Sequence, residues 1–535
     1  MDLFHRLHGK TIPAWLHAQA RRYRFRLAAS LPSWRGHRDR LSYAQLVRRM
    51  DTLAAALHAL GLAPGQRVAL LLPNRAAREG VLTALACWRL GALVAPLNCR
   101  SADPELLHAI DLVEPAWIVV TDGAAAQRLR DLGRGDARVL RLDGAPGAVD
   151  TWPEPEDSGG VAQLPAGPLS AQEPSCLLFT SGTTAHAKAV LHTHSSQLHA
   201  GAAVGGALGL TDDDTYQGAF PLYTSSALNL ACMSAWVHGA GVVLEEDGLD
   251  NAQRLALIAA ECTSVYHGVP TILHYLVDAY AQGGHDLSCL RRIGYGGAPM
   301  PVEVIAKFSR HWPHVDQVHI WGMTETGPAG VALPPWMLPR KAGAIGLPQP
   351  GCSIRVLAEG ARDVALRDAA PGEVGEIAFA GPSAALGYFR QPQATAQTFV
   401  DGWVLTGDLG QFDAQGVLHY VDRRKDVINR GGLKIASAAV EAVLHRCAGV
   451  ADVAVVAVPH DKLGEDVAAC VVARAGQALD WVALRAACRA ELAEHAVPRH
   501  WFAVESMPHN AMGKLLKNVL RAQLQQGDWP EVRVP

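Results

Sequence analysis

Five short segments of the sequence combine residue types that together could bind a nucleotide. The first follows the apolar run 176–179, where a strand would enter a loop, and its polar residues are Thr180, Ser181, Gly182, Thr183, Thr184 and Lys188. Backbone N–H groups and hydroxyls in such a loop form a concavity that suits phosphate oxygens, and the lysine adds a point charge. The spacing is not that of a Walker A loop. Taken alone, a Ser- and Thr-rich surface turn explains the segment equally well.

The second segment is Trp321-Gly322-Met323-Thr324-Glu325, which comes after a strand-like run at residues 317–320. The tryptophan can stack on a planar base, and the threonine can meet a phosphate oxygen. The glutamate can hold Mg²⁺, a cation that prefers oxygen ligands. For any one of these residues alone, the simpler interpretation is a turn at a strand end with a solvated glutamate.

Three further segments lie towards the C-terminus. Residues 403–408 end in Asp408, which at a strand end could accept hydrogen bonds from two ribose hydroxyls, although Thr-Gly-Asp is also an ordinary turn. Residues 422–426 form a charge run that is followed by Gly431, Gly432 and Lys434, and such runs are usually solvated faces. Residues 510–514 end in Lys514 beside a glycine, which is a commonplace pair.

The elements that position these segments follow an α/β rhythm. Ser42 and Gln45 form a capping box, and apolar residues then recur at helical spacing until Gly61. Residues 68–72 form a short apolar run that predicts a buried strand, and a second helix leads into a strand at residues 92–95. This alternation indicates parallel sheets that are covered by helices on both faces. Beyond residue 432, predicted helices and strands alternate in a small α+β unit of about 110 residues, enough to fold alone.

Size and composition exclude several classes of protein. A chain of 535 residues predicts two or three packed units, and 19% charged residues exclude a mainly disordered protein. The net charge of −3 gives no bulk attraction to nucleic acid or to anionic membranes. None of the ten cysteines forms a Cys-x-x-Cys pair, which argues against a structural zinc site. Residues 1–26 have no uninterrupted apolar core of signal-peptide length and residues 81–97 are too short to span a bilayer, so we expect a soluble, reduced, cytoplasmic protein.

The order and spacing of the five segments resemble those of the adenylate-forming superfamily, which contains acyl-CoA synthetases, luciferase-like enzymes and peptide-synthetase adenylation domains. The resemblance extends from about Ser42 to Leu520. It includes the run Gly296-Gly297-Ala298-Pro299, the pair Gly464-Glu465 and the step His192-Thr193-His194. Five ordered matches make chance similarity implausible.

The resemblance implies an α/β fold in two domains. Residues 1–422 would form a large N-terminal domain of layered, mostly parallel sheets with a small distorted barrel. Residues 423–427 would be a hinge centred on Lys425, and residues 428–535 a small mobile α+β domain. The implied activity is that of an acyl-CoA synthetase, which adenylates a carboxylic acid with Mg²⁺ and ATP, releases pyrophosphate and then transfers the acyl group to coenzyme A. The oligomeric state stays open, with a homodimer possible.

The resemblance also implies roles for individual residues. The loop that contains Thr180, Ser181, Gly182, Thr183, Thr184 and Lys188 would hold the ATP phosphates. The adenine would lie between Gly297, Ala298 and Pro299 on one face and Trp321, followed by Gly322, on the other. Thr324 would meet the α-phosphate, Glu325 would hold Mg²⁺, and Asp408 and Arg423 would bind the ribose. Lys514 would bridge the carboxylate and the α-phosphate during adenylation. Rotation about Lys425 would then exchange Lys514 for Gly431, Gly432 and Lys434, with Gly432 letting the pantetheine arm pass.

The sequence departs from the family pattern at three places. In the phosphate loop, Ala185, Ala187 and Ala189 replace positions of the usual Thr-Gly-x-Pro-Lys-Gly. A positive φ at Ala185 would cost about 1 kcal/mol, so we expect weaker ATP binding but retained activity. Thr224 stands where many relatives have a histidine that gates the two states, and His267 or His192 are possible steric substitutes. Ser437 replaces a usual proline, for which we expect a small effect.

The acid would bind among residues that mix aromatic, small and hydroxyl side chains. By family geometry these are Tyr223, Thr224, Ser225, His267, Gly268, Tyr295, Gly296 and Met323. The small glycines would leave depth, and the aromatic rings suit a flat or medium-length apolar group, so a medium-chain fatty acid and an aryl acid both remain open. Two other functions also remain open: loading of the acyl group onto a carrier protein, and a catalytically weakened nucleotide-binding paralogue.

Overall fold

The computed structural model of the protein describes residues 2–134, 136–144, 150–155, 164, 169–180, 187–281, 283–298, 300, 302–360, 366–509 and 515–534. The chain folds into two compact units. The first comprises Met1–Ile354 and Phe379–Val404, and the second comprises Arg355–Ala378 and Leu405–Pro535. The predicted hinge at residues 423–427 falls in the second unit. Compact units do not by themselves locate a hinge, so the predicted domain limits remain a prediction.

The elements are as follows in chain order. The strands are β1 Leu27–Pro32, β2 Arg38–Ser42, β3 Arg67–Leu71, β4 Leu93–Pro96, β5 Trp117–Val120, β6 Arg138–Arg141, β7 Pro174–Phe179, β8 Ala189–Thr193, β9 Thr215–Gly218, β10 Gly241–Leu244, β11 Val265–Gly268, β12 Arg292–Gly296, β13 Asp316–Gly322, β14 Gly330–Leu333, β15 Leu347–Pro348, β16 Ser353–Leu357, β17 Gly375–Ala380, β18 Gly387–Tyr388, β19 Phe399–Val400, β20 Trp403–Phe412, β21 Leu418–Arg423, β22 Ile428–Arg430, β23 Leu433–Ile435, β24 Val450–His460, β25 Gly464–Ala473 and β26 His500–Ala503. The helices are α1 Leu3–Leu7, α2 Ile12–Arg22, α3 Tyr43–Ala59, α4 Ala77–Leu90, α5 Asp103–Val113, α6 Gly123–Asp131, α7 His194–Ala207, α8 Met233–His238, α9 Asn251–Ala260, α10 Pro270–Ala281, α11 Val302–His311, α12 Leu338–Lys341, α13 Pro392–Thr398, α14 Ser437–His445, α15 Trp481–Glu491 and α16 Lys517–Gln526.

The predicted α3 shows how the sequence specifies its elements. The Ser42 side chain accepts a hydrogen bond from the Gln45 backbone N–H, and the Gln45 side chain accepts one from the Ser42 backbone N–H, so the capping box is formed. The strands predicted at residues 68–72 and 92–95 are β3 and β4, and the helix between them is α4. Among the helices in the described ranges, none combines the length and the apolar character needed to cross a membrane.

The first unit contains two sheets of mixed but mostly parallel strands. One has nine strands in the order β15-β14-β13-β12-β11-β9-β10-β1-β2, in which the run from β13 to β1 is parallel. The other has seven strands in the order β18-β8-β7-β4-β3-β5-β6, in which the run from β7 to β6 is parallel. The two sheets share one hydrophobic core, to which β3 and β10 both contribute.

Helices cover both faces of the seven-stranded sheet, as predicted. Val68 and Leu70 of β3 belong to the core that also contains α3 and α4. The alternate residues Ala69 and Leu71 belong to a second core, which contains α5 and α6. Since successive side chains of a strand point to opposite faces, the two cores lie on opposite sides of the sheet.

Two five-stranded sheets complete the fold. The first has the order β16-β17-β20-β19, with β21 paired to β20. The second, in the second unit, has the order β23-β22-β25-β24, with β26 paired to β25. In this last sheet, alternate residues of β24 and β25 pack against α14 and α15 on one face and against α16 on the other. This arrangement is the α+β architecture predicted for the C-terminal part of the chain.

Candidate active site

The carboxyl ends of four neighbouring parallel strands lie side by side in the nine-stranded sheet. β9, β11, β12 and β13 are in register, with Gly268 opposite Tyr295 and Gly296 opposite Ile320. The segments predicted to surround the acid and the adenine lie at or after these ends, at residues 223–225, 267–268, 295–298 and 321–323. In α/β sheets, ligands bind outside the carboxyl ends of the strands. The fold therefore brings these predicted site segments together, while Pro299 lies outside the described residues.

Two glycines at these strand ends are required by close backbone approach. A Cβ atom added to Gly296 would lie 2.2 Å from the Ile320 carbonyl oxygen, and one added to Gly322 would lie 2.2 Å from the Pro328 carbonyl oxygen. Gly297 has a φ of +80°, which favours glycine. The neighbouring strand thus demands a glycine at position 296 on steric grounds alone, and the expectation that this glycine leaves depth for an acid stays a prediction.

Thr324 begins a short 3₁₀ turn directly after β13, and a buried histidine holds its backbone. The Nε2 atom of His192 lies 2.9 Å from the Thr324 carbonyl oxygen, and the Nδ1 atom lies 3.1 Å from Ser196 Oγ. A carbonyl oxygen only accepts, so Nε2 donates. Burial lowers the pKa of His192 to about 4, so the imidazole is neutral at pH 7. The Thr324 hydroxyl lies 3.3 Å from Ser225 Oγ, which joins the turn to the predicted acid pocket.

Glu325 is buried, with 5% of its surface exposed. The Tyr388 hydroxyl donates a hydrogen bond of 2.7 Å to Glu325 Oε1. The Nζ atom of Lys188 lies 4.4 Å from the centroid of the same tyrosine ring. Burial, with the Glu325 carboxylate adding to it, holds the pKa of Tyr388 well above its usual value, so the hydroxyl keeps its proton. The simpler interpretation of a solvated glutamate is therefore wrong.

The predicted phosphate loop connects the two strands of a hairpin. β7 and β8 are antiparallel with Phe179 opposite Ala189, and the Thr180 backbone N–H donates to the Lys188 carbonyl oxygen at 3.0 Å. The hairpin thus presents the side chain of Lys188 at the start of β8. The predicted loop residues Ser181, Gly182, Thr183 and Thr184, and the alanine at position 185, lie outside the described residues.

The predicted acid-pocket residues are tightly held. The Thr224 hydroxyl donates to the Pro221 carbonyl oxygen at 2.7 Å, so it closes its own turn. His267 lies 2.8 Å from the Tyr216 hydroxyl through Nδ1, and burial lowers its pKa to about 3. Tyr295 packs its ring against His319, with centroids 5.3 Å apart. Burial raises the pKa of Tyr223 to about 12. His267 and His192 are thus both buried and hydrogen-bonded, and neither is placed as a movable substitute for the family's gating histidine.

In the second unit, Asp408 and Arg423 face each other across an antiparallel pair. They are register partners in β20 and β21, and Arg423 Nε lies 3.4 Å from Asp408 Oδ1. The fold thus brings together the two residues predicted to bind the ribose. The prediction that Asp408 ends a strand is wrong, because β20 continues to Phe412 in its pairing with β21.

Gly431 and Gly432 form the two-residue turn of a hairpin between β22 and β23. Their φ values of +59° and +90° are those of a tight hairpin turn, which is dominated by glycine and asparagine. The hairpin geometry is thus sufficient to explain both glycines without a pantetheine arm.

Lys434 is exposed and forms an ion pair with Glu359. Burial, with Arg423 adding to it, lowers the pKa of the predicted hinge residue Lys425 to about 8. Lys514 lies outside the described residues.

Comparison with known proteins identifies the family. Residues 16–389 match the model of AMP-binding enzymes, and residues 439–514 match that of the AMP-binding enzyme C-terminal domain. The chain belongs to the AMP-binding enzyme family. A feruloyl-CoA synthase from an Amycolatopsis species is 32% identical over 481 residues, which cover 90% of this chain and 93% of the relative. The long-chain-fatty-acid–CoA ligase FadD13 from Mycobacterium tuberculosis is 31% identical over 490 residues, with 90% and 93% covered.

A solved structure supports the same assignment at the level of the fold and the reaction class. The o-succinylbenzoate-CoA synthetase MenE from Bacillus subtilis, in complex with its acyl-adenylate intermediate, superimposes with a TM-score of 0.83 at 26% identity. The match covers 98% of this chain and 100% of that one. The predicted fold class is confirmed, and so is the prediction of an AMP-forming acid–thiol ligase of the acyl-CoA synthetase type.

One departure from the pattern of the AMP-binding enzymes lies in a buried network of charged groups. Ser437 is fully buried at the first position of α14. Its hydroxyl donates to Asp422 Oδ2 at 2.8 Å and accepts from Lys517 Nζ at 2.7 Å. Lys517 also pairs with Glu441 at 2.7 Å, and burial raises the pKa of that carboxyl. The serine thus connects two charged groups, Asp422 and Lys517, and the expectation of a small effect at Ser437 stays a prediction.

Two residues near the candidate site of this AMP-binding enzyme were not predicted. Tyr388 is one, and Asn74 is the other. The Asn74 side-chain amide donates to the carbonyl oxygens of Phe220 and Glu245, at 2.8 and 3.0 Å, and its oxygen accepts from the Leu222 backbone N–H at 2.7 Å. The Pro-Asn pair after β3 signals the end of the strand, but its partners lie about 150 residues away, so local sequence gives no indication of them.

Proposed function

We propose that this AMP-binding enzyme activates a carboxylic acid with an aryl or medium-length apolar group, using ATP and Mg²⁺, and transfers the acyl group to coenzyme A. The observation that carries the proposal is the alignment of four strand ends in one sheet. It supports the proposal because the segment predicted for the adenine, the Thr324-Glu325 turn and the segment predicted for the acid all lie near one edge of that sheet. The names of the relatives, which include a feruloyl-CoA synthase and a long-chain-fatty-acid–CoA ligase, support CoA as the acceptor.

The residues present fit one magnesium ion held jointly with a nucleotide. Within the described part of the chain, no group of three or more His, Cys, Asp or Glu side chains could form a metal cage. Mg²⁺ in ATP enzymes is usually held by one or two carboxylates together with substrate phosphates, and the buried Glu325 supplies such a carboxylate. When bound there, the ion would neutralise phosphate charge and stabilise the departing pyrophosphate.

The first step of the proposed reaction joins two anions. A carboxylate oxygen attacks the α-phosphorus of ATP, the bond to the β-phosphate oxygen breaks, and pyrophosphate leaves with that bond's electron pair. Thr324 would donate to the α-phosphate from a turn that His192 holds in place. Lys188 and the hydroxyl loop would hold the outer phosphates, and Lys514 would offset the repulsion between carboxylate and phosphate. Loss of one preorganised charge of this kind costs about 10²–10³-fold in rate.

The second step forms the thioester. The thiol sulfur attacks the acyl carbon of the adenylate, its proton is lost to solvent, and AMP departs from the mixed anhydride. We propose that rotation about Lys425 exchanges Lys514 for the hairpin of Gly431, Gly432 and Lys434 between the steps. Asp408 and Arg423 would hold the ribose hydroxyls.

A panel of acids identifies the substrate and tests the proposal. Acid-dependent exchange between ATP and pyrophosphate should occur with at least one aryl or medium-chain acid, and AMP release should then require CoA. AMP release with a holo-carrier protein but not with CoA would contradict the proposed acceptor. Absence of exchange with every acid would indicate a weakened paralogue instead.

The exchange of Lys514 for the hairpin predicts a separation of half-reactions. Lys514→Ala should abolish adenylation but spare thioester formation from supplied acyl-AMP, and Gly432→Leu should do the reverse. Because Gly432 has a φ of +90°, Leu strains the turn by itself. The matched control is Gly476→Leu, since Gly476 has a φ of +74° and open space around it in the turn between β25 and α15. Loss of the same half-reaction in both site variants would refute the rotation.

A further inference from the structure

We propose that Tyr388 is a positioning residue for the nucleotide site, which holds Glu325 through its hydroxyl and Lys188 through the face of its ring. The inference rests on the proposed function, because it assigns Glu325 to Mg²⁺ and Lys188 to phosphate. One side chain would thereby set the distance between the metal ligand and the phosphate-binding ammonium.

The hydroxyl of Tyr388 fixes the orientation of the carboxylate. The bond from Tyr388 Oη to Glu325 Oε1 is 2.7 Å, and the two residues are 8% and 5% exposed. The Glu325 backbone is held as well, since its carbonyl oxygen accepts from the Ala385 N–H at 2.9 Å. A metal-binding carboxylate with a hydrogen-bonded partner of this kind loses little freedom when the ion binds, and removal of such partners typically costs about 10–100-fold in metal affinity or activity.

The ring of Tyr388 holds the ammonium. Lys188 Nζ lies 4.4 Å from the ring centroid, within the range of a cation–π contact. This contact restrains a long, flexible side chain without neutralising its charge, so the charge stays available to a phosphate. A tyrosine therefore serves both partners, whereas a phenylalanine at this position would serve the lysine alone.

Tyr388 lies on a strand that pairs with β8, the strand that follows the predicted phosphate loop. Tyr388 lies in β18, which pairs antiparallel with β8, and it is the register partner of Val190. Lys188 immediately precedes β8, so both partners of the cation–π contact are attached to one strand pair. The Tyr388 backbone N–H donates to Thr395 Oγ1 at 2.9 Å, and its ring meets Phe399 edge-on with centroids 5.8 Å apart. Tyr388 is thus fixed independently of either ligand group.

Two substitutions separate the roles of the hydroxyl and the ring. In Tyr388→Phe we expect Mg²⁺-dependent ATP binding, measured by titration calorimetry without acid, to weaken by about 10-fold or more, with ATP binding in the absence of Mg²⁺ unchanged. In Tyr388→Leu we expect ATP binding without Mg²⁺ to weaken as well, by about 2- to 5-fold, because Lys188 loses its support. The matched control is Tyr43→Phe, which also removes a buried tyrosine hydroxyl, there bonded to the Ala240 carbonyl oxygen at 2.8 Å.

The outcomes distinguish this inference from the proposed function. If Tyr388→Phe and Tyr43→Phe lower the unfolding midpoint equally, and both keep the wild-type Mg²⁺ dependence of ATP binding, Tyr388 has a structural role only. That result overturns the inference. If the Mg²⁺ dependence of ATP binding changes only in Tyr388→Phe, the inference stands. Absence of ATP–pyrophosphate exchange with every acid in the wild type would refute only the proposed function. A wild type that binds no Mg-ATP overturns both.

Discussion

At the scale of single residues, the site depends on side chains whose partners are distant in sequence. The types of Thr324 and Glu325 predict phosphate and metal contacts from the sequence, because oxygen donors after a strand end suit them. Tyr388 could not be predicted in the same way. Its partner Glu325 is 63 residues away, and the pair meets only because β18 joins the sheet beside β8. Residue types in the sequence thus predict which side chains could contact a ligand. The side chains that hold them in place can be found only from the folded structure.

The glycines at the strand ends give a prediction at this scale. Gly296→Ala should lower the free energy of unfolding by about 1–3 kcal/mol, because its Cβ would lie 2.2 Å from the Ile320 carbonyl oxygen and the paired strands would have to separate. Gly268→Ala is the matched control, since Gly268 ends the adjacent strand and its Cβ would meet no atom nearer than 3.5 Å. Urea denaturation of both variants checks this. Equal stability of the two variants would contradict the steric explanation.

At the scale of elements, local patterns predicted the helices and strands that carry the site but not their extents. The capping box of Ser42 and Gln45 starts α3 as predicted, and the apolar run at residues 176–179 lies in β7. The sequence predicts that the Thr-Gly-Asp run lies at a strand end, with an ordinary turn as the alternative. β20 continues through it, since pairing with β21 supplies hydrogen bonds that local composition cannot reveal. Tertiary pairing thus overrides the turn propensity at Asp408.

The start of α14 provides a prediction at the element scale. Ser437→Ala and Ser437→Pro should each lower the stability of the protein by about 1–3 kcal/mol, because either change removes the buried hydroxyl that donates to Asp422 and accepts from Lys517. Proline is well tolerated at the first position of a helix, so the two variants should behave alike. Chemical denaturation followed by far-UV circular dichroism measures the effect. A Ser437→Pro variant as stable as the wild type would show that the hydroxyl contributes nothing.

At the scale of the whole molecule, composition and family pattern predicted the class of fold, while the course of the chain through its compact units could not be predicted. The chain enters the second unit at Arg355, returns to the first unit at Phe379 and enters the second unit again at Leu405. The domain limit at residue 422 stays a prediction from the order of the motifs, and motif order does not show which strands share a sheet. β17 and β20 are neighbours although more than 20 residues separate them.

Buried histidines make the stability of the whole protein sensitive to acid. Burial lowers the pKa of His192, His194 and His319 to about 4, against 6.5 for the exposed group. Between pH 6.5 and 4 the unfolded chain therefore binds protons that the folded protein does not, and stability falls as the pH falls. The slope is on the order of 1 kcal/mol per pH unit for each such histidine.

A substitution isolates one of these titrations. In His194→Met the loss of stability between pH 6.5 and 5 should be shallower than in the wild type, because one buried group no longer takes up a proton on unfolding. His314→Gln is the control, since His314 is an exposed histidine. Urea midpoints at half-unit pH intervals provide the measurement. Parallel slopes for all three proteins would show that His194 does not contribute.

The carboxamide of Asn74 has a consequence for the redesign of this enzyme. It holds the loop after β9 through main-chain atoms of Phe220 and Leu222, so the anchoring is indifferent to which side chains the loop carries. Substitutions of the loop side chains therefore leave these two main-chain bonds available to Asn74. A mutant library that tests the proposed acid pocket should randomise residues 223 and 225 and leave Asn74 and Thr224, whose hydroxyl closes the turn, unchanged.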